Sequence, residues 1–575
     1  MNNTLELANR FSDFFNNKLV NLRLKISSAL ATCTVTSLLH CSSAPSLLSA
    51  LEPCSPSEVS KLIASLPNKT SPLDIIPLTV FKACSFELSI VISRLANASF
   101  TTGLFPSCFK VALVVPLIKK SGLDAADLNN YRPISNLSTI SKIMEKLILA
   151  RIKSQIINSP NFSPFQSAYR SRHSTETALV KIVDDLLCAI DQGSIVVVAG
   201  LDLSAAFDTV CHTKLCSILS HDFGIGGSAL HLIQSYLSDR SQFVKIGNSR
   251  SHTIKCTSGV PQGSVLGPLL FTAYVSPVGR LASCHNILHH FYADDTQLYN
   301  SLTGDIGCCL SQLTDCSLAI QHWFLSHDLL INPTKSEAAF FGTRQRLANT
   351  TLPTSISIAG AQIPIKDSLK ILGVSLDKSL TFSGHVQTIV RSCNYHLQAL
   401  RHIRPLLTRD VANTLACSVI GSRVDYCNGL LFGSSSSVLN SLQRVQNNIA
   451  RVVIWNKTQV CSSLQNLREL HWLPIRDRVS FKVATLCYHS IHSHQPAYLA
   501  SIISEYKPAR TLRSSSQDLL AQPPSTTVTA ARRFSCCAPR VWNALPISIR
   551  KADSITSFKA RLKTHYFQSA FGPNS

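Results

Sequence analysis

The stretch HHFYADDTQLY, residues 289–299, sets two adjacent acids inside an aromatic and apolar segment. His289, Phe291, Tyr292, Leu298 and Tyr299 are residue types that suit strands, so Asp294 and Asp295 are expected at a turn between two of them. Like charges side by side cost energy unless a cation or solvent screens them. A surface turn would need only water. A metal site would need a third carboxylate, and one lies upstream. GSIVVVAGLDL, 193–203, is a β-branched run after a glycine turn and reads as a buried strand with Asp202 at its end. A carboxylate there is costly unless it coordinates something. If the two strands are sheet neighbours, Asp202, Asp294 and Asp295 converge. Three carboxylates suit a hard divalent cation such as Mg²⁺. Two such ions about 3.5–4 Å apart can activate a 3′-hydroxyl and stabilise a leaving pyrophosphate. The main-chain carbonyl of Leu203 is a candidate extra ligand. On spacing alone, a solvated Asp-Asp turn is an equal alternative.

The chain has 575 residues, enough for several domains. Its 45% hydrophobic content supports sizeable cores and excludes a mainly disordered protein. The net charge of +22 favours a polyanionic partner, nucleic acid ahead of a membrane surface. From residue 391 onward there are 23 Lys and Arg against 7 Asp and Glu, so the C-terminal third carries most of the excess. The 20 cysteines include no C-x-x-C pair and many sit in apolar runs, as expected of reduced core thiols in an intracellular protein without a zinc site. No signal peptide or membrane span is read.

Along the chain, residues 5–27 place Leu7, Phe11, Phe14, Phe15, Leu19 and Leu22 on one helical face. The Ser-rich stretch 34–60 reads as a linker. A buried strand is expected within 105–120. YRPIS, 131–135, reads as a proline turn before a helix bearing Ile140, Ile143, Met144, Leu147 and Ile148. Helices are expected over 174–190, from 205 to 219 and over 309–328, and PQGSVLGPLLFTAYV, 261–275, reads as a turn that enters another. QFVKIG and SHTIKCTSGV read as strands paired around Gly247-Asn248. The irregular alternation points to a mixed α/β sheet with helices on one side. Beyond 390 the pattern is helical and basic, with the Ser-rich loop 433–441 expected to cap the helix after it. No internal repeat is found.

FYADD (291–295), preceded by LDLSAAFD (201–208) and GVPQGSVLGPLLF (259–271), resembles the reverse-transcriptase family. NNYRPISNLSTISKIMEKLI (129–148), FQSAYRSRHSTETALV (165–180), INPTKSEAAFFG (331–342) and LKILGVSLD (369–377) resemble further blocks of it. The N-terminal LANRFSDFFNNKL and the C-terminal SRVDYCNGLLFG, LQRVQNNIARVV, LHWLPIRDRVSFK and APRVWNALPISIRKADSITSFKARLKTHYF narrow the likeness to LINE-type, non-LTR retrotransposon proteins. The ordered set is specific; no single block is.

The resemblance implies an α+β right-hand fold of fingers, palm and thumb. Over this chain it gives a helical N-terminal extension (1–100), fingers and palm (101–385), a basic helical thumb-like region (386–510) and a basic C-terminal segment (511–575). It implies RNA-directed DNA synthesis from an RNA template, a DNA primer or target and dNTPs, with two Mg²⁺ ions (Mn²⁺ as a substitute). Asp202, Asp294 and Asp295 match its metal-binding aspartates. Phe207 matches an aromatic that leaves no room for a ribose 2′-hydroxyl. Gln262 and Gly263 fall against the incoming nucleotide, Arg132 with Lys119 or Lys120 at its triphosphate, and Lys335 near the leaving phosphate as a candidate general acid. Leu372 and Gly373 fall in the hairpin that grips the primer end. Arg444 and Arg451 lie on a helix face expected to follow the duplex backbone with Gln443, Gln446 and Asn447. Read bare, Phe207 is a core residue, Gln262 and Gly263 a turn, and the cations solvated charges, while the hairpin is equally an ordinary edge strand.

Full-length elements of this kind carry an endonuclease first, so no nicking is expected of this segment. Cys211 and His327 stand where the pattern has Asp and Asn, and HLIQSYL, 231–237, lacks an aromatic. The rival readings are an inactive relic that still binds nucleic acid and a maturase- or telomerase-like enzyme; the long C-terminal blocks argue against the last. Action in the nucleus and cytoplasm is expected.

Overall fold

The computed structural model describes residues 2–31, 46–120, 122–455, 462–507 and 518–572. The strands are β1 (Val111–Ile118), β2 (Tyr131–Asn136), β3 (Ile195–Leu201), β4 (Arg240–Ile246), β5 (Ser249–Arg250), β6 (Ile254–Cys256), β7 (Leu288–Tyr292), β8 (Asp295–Leu302) and β9 (Glu337–Phe341), followed by two hairpins. These are β10 (Ser355–Ile358) with β11 (Ala361–Pro364), and β12 (Ser368–Ile371) with β13 (Val374–Asp377). The helices that carry the argument are α1 (Asn2–Ala31), α2 (Pro56–Ala64), α3 (Ser85–Thr102), α4 (Thr139–Ile157), α5 (Thr175–Asp191), α6 (Gly267–Val275), α7 (Ile306–Ser326), α8 (Ser383–Ile403), α9 (Ser436–Ile454), α10 (Ile475–Ser493), α11 (Phe534–Asn543) and α12 (Ile555–Phe571). No described helix is long and apolar enough to cross a membrane.

The central sheet is antiparallel, in the order β7-β8-β3-β9. Helices cover both of its faces, not one as expected. Val197, Ala199 and Leu201 of β3 join the core that holds Leu313 and Ile320 of α7. Val196 and Val198 join a second core with Leu179, Val183 and Leu186 of α5. A strand covered on both faces has no apolar–polar alternation, as the run IVVVAGL shows. The second sheet runs β2-β1-β4-β5, with β6 also on β4, and β1 and β4 are parallel.

Three local expectations change. YRPIS is not a turn but strand β2, at a sheet edge where a proline costs no inner ladder bond. The helix expected from 205 to 219 is two, Ala206–Thr209 and His212–His221. The break frees the carbonyls of Phe207 and Val210 to accept from the amides of Val260 and Gly259, at 2.8 Å each. Of the stretch 34–60 read as a linker, residues 34–45 lie outside the described residues, while Leu51, Cys54 and Val59 are core. Ser55 caps α2, and both guanidinium nitrogens of Arg151 reach the Glu58 carboxylate at 3.0 Å.

The first hundred residues share a core with the central sheet: Ile63 of α2 and Ile92 and Phe100 of α3 pack in the cluster of α4 and β3. The C-terminal helices close over the other face, where Leu397 (α8), Leu442 (α9), Cys487 (α10), Trp542 (α11) and Phe558 (α12) form one cluster with Val196 and Val198. On α9, Leu442, Val445 and Ile449 are buried as expected and Arg444 and Arg451 are exposed. Gln446 is buried instead, donating to the Leu473 carbonyl (2.8 Å), while Gln443 accepts from the Ile475 amide (2.9 Å). These two glutamines bind α9 to its neighbour and are not on the expected polar face. Ser435 makes no side-chain cap bond; its hydroxyl meets that of Ser437 at 2.9 Å. Of the seventeen described cysteines, none is in a disulfide and nine are buried, consistent with thiols used as core fillers.

One buried acid ties the two halves together. Glu145, in the apolar heart of α4, accepts from the amides of Val265 (2.7 Å) and Leu266 (3.0 Å), which precede α6 and have no helical partner of their own. Burial raises its pKa, opposed by those amides and by Arg240. Replacing Glu145 by Ala strands both amides. Glu145→Ala is expected to cost about 2–4 kcal/mol, read as a lower urea midpoint at unchanged slope, with Glu145→Gln losing less.

Candidate active site

The register of β3 on β8 brings the acids together. The last pair is Leu201↔Thr296, and one step further along the same register sets Asp202 opposite Asp295. On the other side Tyr292 pairs with Asp295, leaving Ala293 and Asp294 as a two-residue turn. Ala293 has φ +57°, a strained value for a residue with a Cβ. Buried Gln166 holds it there: its Oε1 accepts from the Ala293 amide (2.9 Å), and its Nε2 donates to the Ala293 carbonyl (3.4 Å). The Asp202 backbone is fixed by its carbonyl, which accepts from the Asn332 amide (2.7 Å). Leu203 bridges to Ile331 through the Asp202 carbonyl and the Ser204 amide, so its own carbonyl is not spent in that bridge.

The three carboxyls act on one another. Burial pushes Asp295 up to about 6, with the charges of Asp294 and Asp202 adding to it. Burial also raises Asp294, with Asp202 adding and Arg132 and Lys335 opposing. Lys335 Nζ lies 3.4 Å from Asp202 Oδ2, an oxygen closed to solvent and otherwise without a hydrogen-bond partner. No group of three or more His, Cys, Asp or Glu among the described residues closes into a finished metal cage. The donor chemistry nevertheless fits a hard cation: oxygens only, one of them with no hydrogen-bond partner, and two carboxyls pushed toward their neutral form by burial and by one another's charge.

The remaining sequence candidates divide. Arg132 is exposed on β2; burial, with the nearby charges of Lys18, Lys335 and Arg132, lowers the pKa of Lys119, past the end of β1, and Lys120 is exposed and outside that set. Lys119 Nζ donates to the Asn129 carbonyl at 2.6 Å. The Phe207 ring is half-buried and stacks on Phe271 at 4.4 Å. Gln262 spends its amide on Asp208, donating to Oδ2 at 2.7 Å. Gly263 has φ +113°, and a Cβ there would lie 2.6 Å from the Ser135 carbonyl, so its close approach in this structure is to β2. Leu372 and Gly373, at φ +46° and +85°, form the tip of the β12–β13 hairpin. Tyr426 braces that tip, donating its hydroxyl to the Leu372 carbonyl at 2.7 Å. Arg444 and Arg451 stay on the exposed side of α9, and no recorded contact links them to the carboxylates.

Sequence reading missed three residues. Gln166 fixes the turn, Glu145 the loop before α6, and Asp208 orients Gln262. Each stood inside a quoted block, and the one available signal was an acid or amide among core residues.

The site is thus a set of acids at one end of the central antiparallel sheet, with Arg132 of the second sheet and Lys335 near enough to act on Asp294. Residues 118–376 match the family model described as reverse transcriptase (RNA-dependent DNA polymerase). The probable RNA-directed DNA polymerase from transposon BS of Drosophila melanogaster is 31% identical over 374 residues, 64% of this chain and 40% of that protein. The RNA-directed DNA polymerase from mobile element jockey of the same organism is 31% identical over 340 residues, 58% of this chain and 36% of that one. The probable RNA-directed DNA polymerase from transposon X-element, again of Drosophila melanogaster, is 28% identical over 494 residues, covering 83% and 52%. This chain therefore spans between 36% and 52% of the length of those relatives. Residues 118–376 thus match a reverse-transcriptase domain, and the relatives whose similarity runs beyond it are RNA-directed DNA polymerases of transposons and mobile elements.

Burial pushes Asp208 up to about 6, opposed by the Gln262 bond and the Lys18 charge. With the folded value above the unfolded one, this group's contribution favours the fold below about pH 4 and is lost as pH rises to about 6. Asp208→Asn keeps an acceptor for Gln262 and removes the titration. Its melting temperature is expected to match the wild type near pH 4 and exceed it at pH 7, read by thermal unfolding across that range.

Proposed function

We propose that this chain is the RNA-directed DNA polymerase of a non-LTR retrotransposon, adding deoxynucleotides to a DNA 3′-hydroxyl on an RNA template. The observation that carries the reading is the β3–β8 register that sets Asp202 opposite Asp295, with Asp294 in the adjoining turn and Arg132 and Lys335 acting on it. Asp202, Asp294, Asp295 and the Leu203 carbonyl would hold two Mg²⁺ ions. Bound there, such ions acidify the attacking hydroxyl and neutralise the transferring phosphoryl group.

The chain's own side chains supply the rest. Arg132 presents a planar fork to phosphate oxygens, and Lys119 a point charge beside it. Lys335, 64% exposed and next to Asp202, is placed to give a proton to departing pyrophosphate. Phe207, fixed by its stack on Phe271, fills the space a ribose 2′-hydroxyl would need. Gly263 and Gln262 shape the floor beneath the base. The hairpin tip at Leu372 and Gly373 sets the primer end, and Arg444 and Arg451 follow the duplex backbone in a sequence-independent, salt-sensitive way. Use of a chromosomal 3′-hydroxyl would place the reaction in the nucleus.

The test is extension of a DNA primer on an RNA template with Mg²⁺. The wild type is expected to extend it and Asp294→Asn to lose activity by a factor on the order of 10³. No extension by either protein, with salt-sensitive hybrid binding retained, would identify a nucleic-acid-binding relic instead. A second expectation concerns the sugar. Phe207→Val should admit ribonucleotides, cutting discrimination by roughly 10–100-fold in single-nucleotide incorporation, and unchanged discrimination would remove Phe207 from this role.

A further inference from the structure

The strand β7 that leads into the acidic turn is not left with an open edge. Residues 165–167 pair with it in parallel: the Phe291 amide donates to the Phe165 carbonyl and the Ser167 amide to the Phe291 carbonyl, at 3.0 Å each. Gln166, the middle residue, is the one whose carboxamide holds Ala293 at both its amide and its carbonyl. The same Oε1 accepts from the Ala168 amide at 3.0 Å, so the carboxamide reaches over Ser167. Where Ser167 sits therefore fixes where the Gln166 carboxamide sits, and with it the turn that presents Asp294 and Asp295.

Ser167 is itself pinned by a residue 331 positions further along the chain. Its hydroxyl lies 2.8 Å from Nε2 of His290 and 2.8 Å from the hydroxyl of Tyr498, in the short helix Ala497–Ala500. Tyr498 donates to Thr177 Oγ1 at 2.9 Å, and Thr177 donates to the Ser174 carbonyl at 2.9 Å, within the capping box that starts α5. Ser167, His290, Thr177 and Tyr498 are each at most 4% exposed. The order of the protons follows from these bonds. Thr177 has given its proton to Ser174, so it accepts from Tyr498; Tyr498 then accepts from Ser167, and Ser167 from the Nε2–H of His290. Nδ1 of His290 is left bare and closed to solvent, an unmet acceptor, which costs less than a buried N–H with nowhere to donate.

Packing alone does not call for this hydroxyl. The Tyr498 ring stacks on Phe165 at 6.4 Å and meets His290 edge-on at 5.0 Å, contacts that a phenylalanine would make equally well. A buried hydroxyl costs free energy unless its bonds are needed. Resting on the polymerase reading above, we infer that Tyr498 is a positioning residue for the metal-binding aspartates: its hydroxyl, reaching in from the C-terminal segment, holds Ser167 and through Gln166 sets the Ala293–Asp294 turn. The C-terminal helices then complete the active site as well as packing beside it.

The test uses the full chain with Tyr498→Phe, which keeps the ring, Ser167→Ala, the double variant, and Tyr488→Phe as a matched control. Tyr488, on α10 in the same core, is 5% exposed and donates its hydroxyl to the Ala552 carbonyl at 2.9 Å, a buried bond of the same kind that is not made to the segment 165–167. Three quantities are read: hydrogen exchange across 289–299, Mn²⁺ binding followed by the paramagnetic resonance of the free ion, and steady-state primer extension. Tyr498→Phe is expected to speed exchange across 289–299 and weaken Mn²⁺ binding by about 10-fold each, and to lower kcat by a similar factor at nearly constant KM for primer–template. Ser167→Ala should do the same, and the double variant no more than either, because both cut one chain of bonds. Tyr488→Phe should lower the melting temperature as much as Tyr498→Phe while leaving all three readouts within about twofold of the wild type. Equal effects of the two phenylalanine variants on those readouts overturn the inference, as does a double variant whose losses multiply. A wild type that neither binds Mn²⁺ nor extends a primer would instead count against the polymerase reading, and exchange across 289–299 would still decide Tyr498.

Discussion

The antiparallel register of β3 against β8 is the constraint on which the site depends. Two strands carry the acids, 92 residues apart along the chain at Asp202 and Asp294, and only their pairing makes them neighbours. A slip of one residue would move Asp202 off Asp295 and turn every side chain of β3 to the opposite face. Hydrophobic patterning alone resists such a slip poorly here, because both faces of β3 are apolar. Polar pins do the work instead. Tyr299 of β8 is buried and donates its hydroxyl to Asp185 Oδ2 of α5 at 2.7 Å, and Asp185 pairs with Lys181 at 2.5 Å. Shifted by one, β8 would leave the buried Tyr299 hydroxyl without its acceptor, a penalty of about 1–3 kcal/mol. At the far end, Gln166 fixes the turn and the Asn332 amide fixes Asp202. The register is thus held at both ends by bonds that only one alignment satisfies.

The second joint is the loop 257–266, where fingers meet palm. The amides of Gly259 and Val260 donate to the broken helix after β3, Gln262 binds Asp208, the Gln262 carbonyl accepts from the Ser135 amide of β2 at 2.8 Å, and Glu145 takes the next two amides. Every one of these bonds joins segments remote in sequence. The two sheets are consequently linked through a saturated polar network as well as through apolar contact, and such networks tolerate little geometric drift. The helix α1 spans the same junction, with Phe11 and Phe15 packed on Val114 and Val244 and with Leu22 and Ile26 packed on Leu325, so the two sheets are held together from a second side.

The parts of this architecture legible in the sequence were those whose signal is local. The β-branched run ending at Asp202, the Asp-Asp turn, and the α9 stripe of Leu442, Val445 and Ile449 each follow from residue type and period. Family blocks added the roles proposed for Arg132, Phe207 and Gln262. Long-range partners defeated local reading. Pro133 looks like a turn residue until β2 is seen to be an edge strand, where its missing amide costs nothing. The Ser-rich stretch before α2 looked loose because its anchors, Arg151 and the core under Val59, lie about 90 residues away in sequence. Gln443 and Gln446 looked like a solvated face, since no helical period announces that a backbone at 473–475 will take their amides.

The departures from the family pattern fall where they cost stability and not site geometry. Cys211 stands at the N-cap of the helix His212–His221 and makes no cap bond, a loss of about 1 kcal/mol relative to a capping acid. His327 ends α7, its ring stacked on Trp323 at 3.8 Å and bonded to the Trp323 carbonyl at 2.8 Å, and burial lowers it to about 4, so it is neutral at ordinary pH and needs no counter-charge. Neither touches the carboxylates. The features that remain are themselves destabilising: Asp294 and Asp295 desolvated beside Asp202, an oxygen of Asp202 without a bond partner, and Ala293 held at positive φ. A chain relieved of any chemical task would gain stability by losing each of them, whereas a capping acid lost at a helix end gains it nothing. Divergence at these two helix ends, with the expensive acids retained at the end of β3, is the distribution that the proposed polymerase site requires.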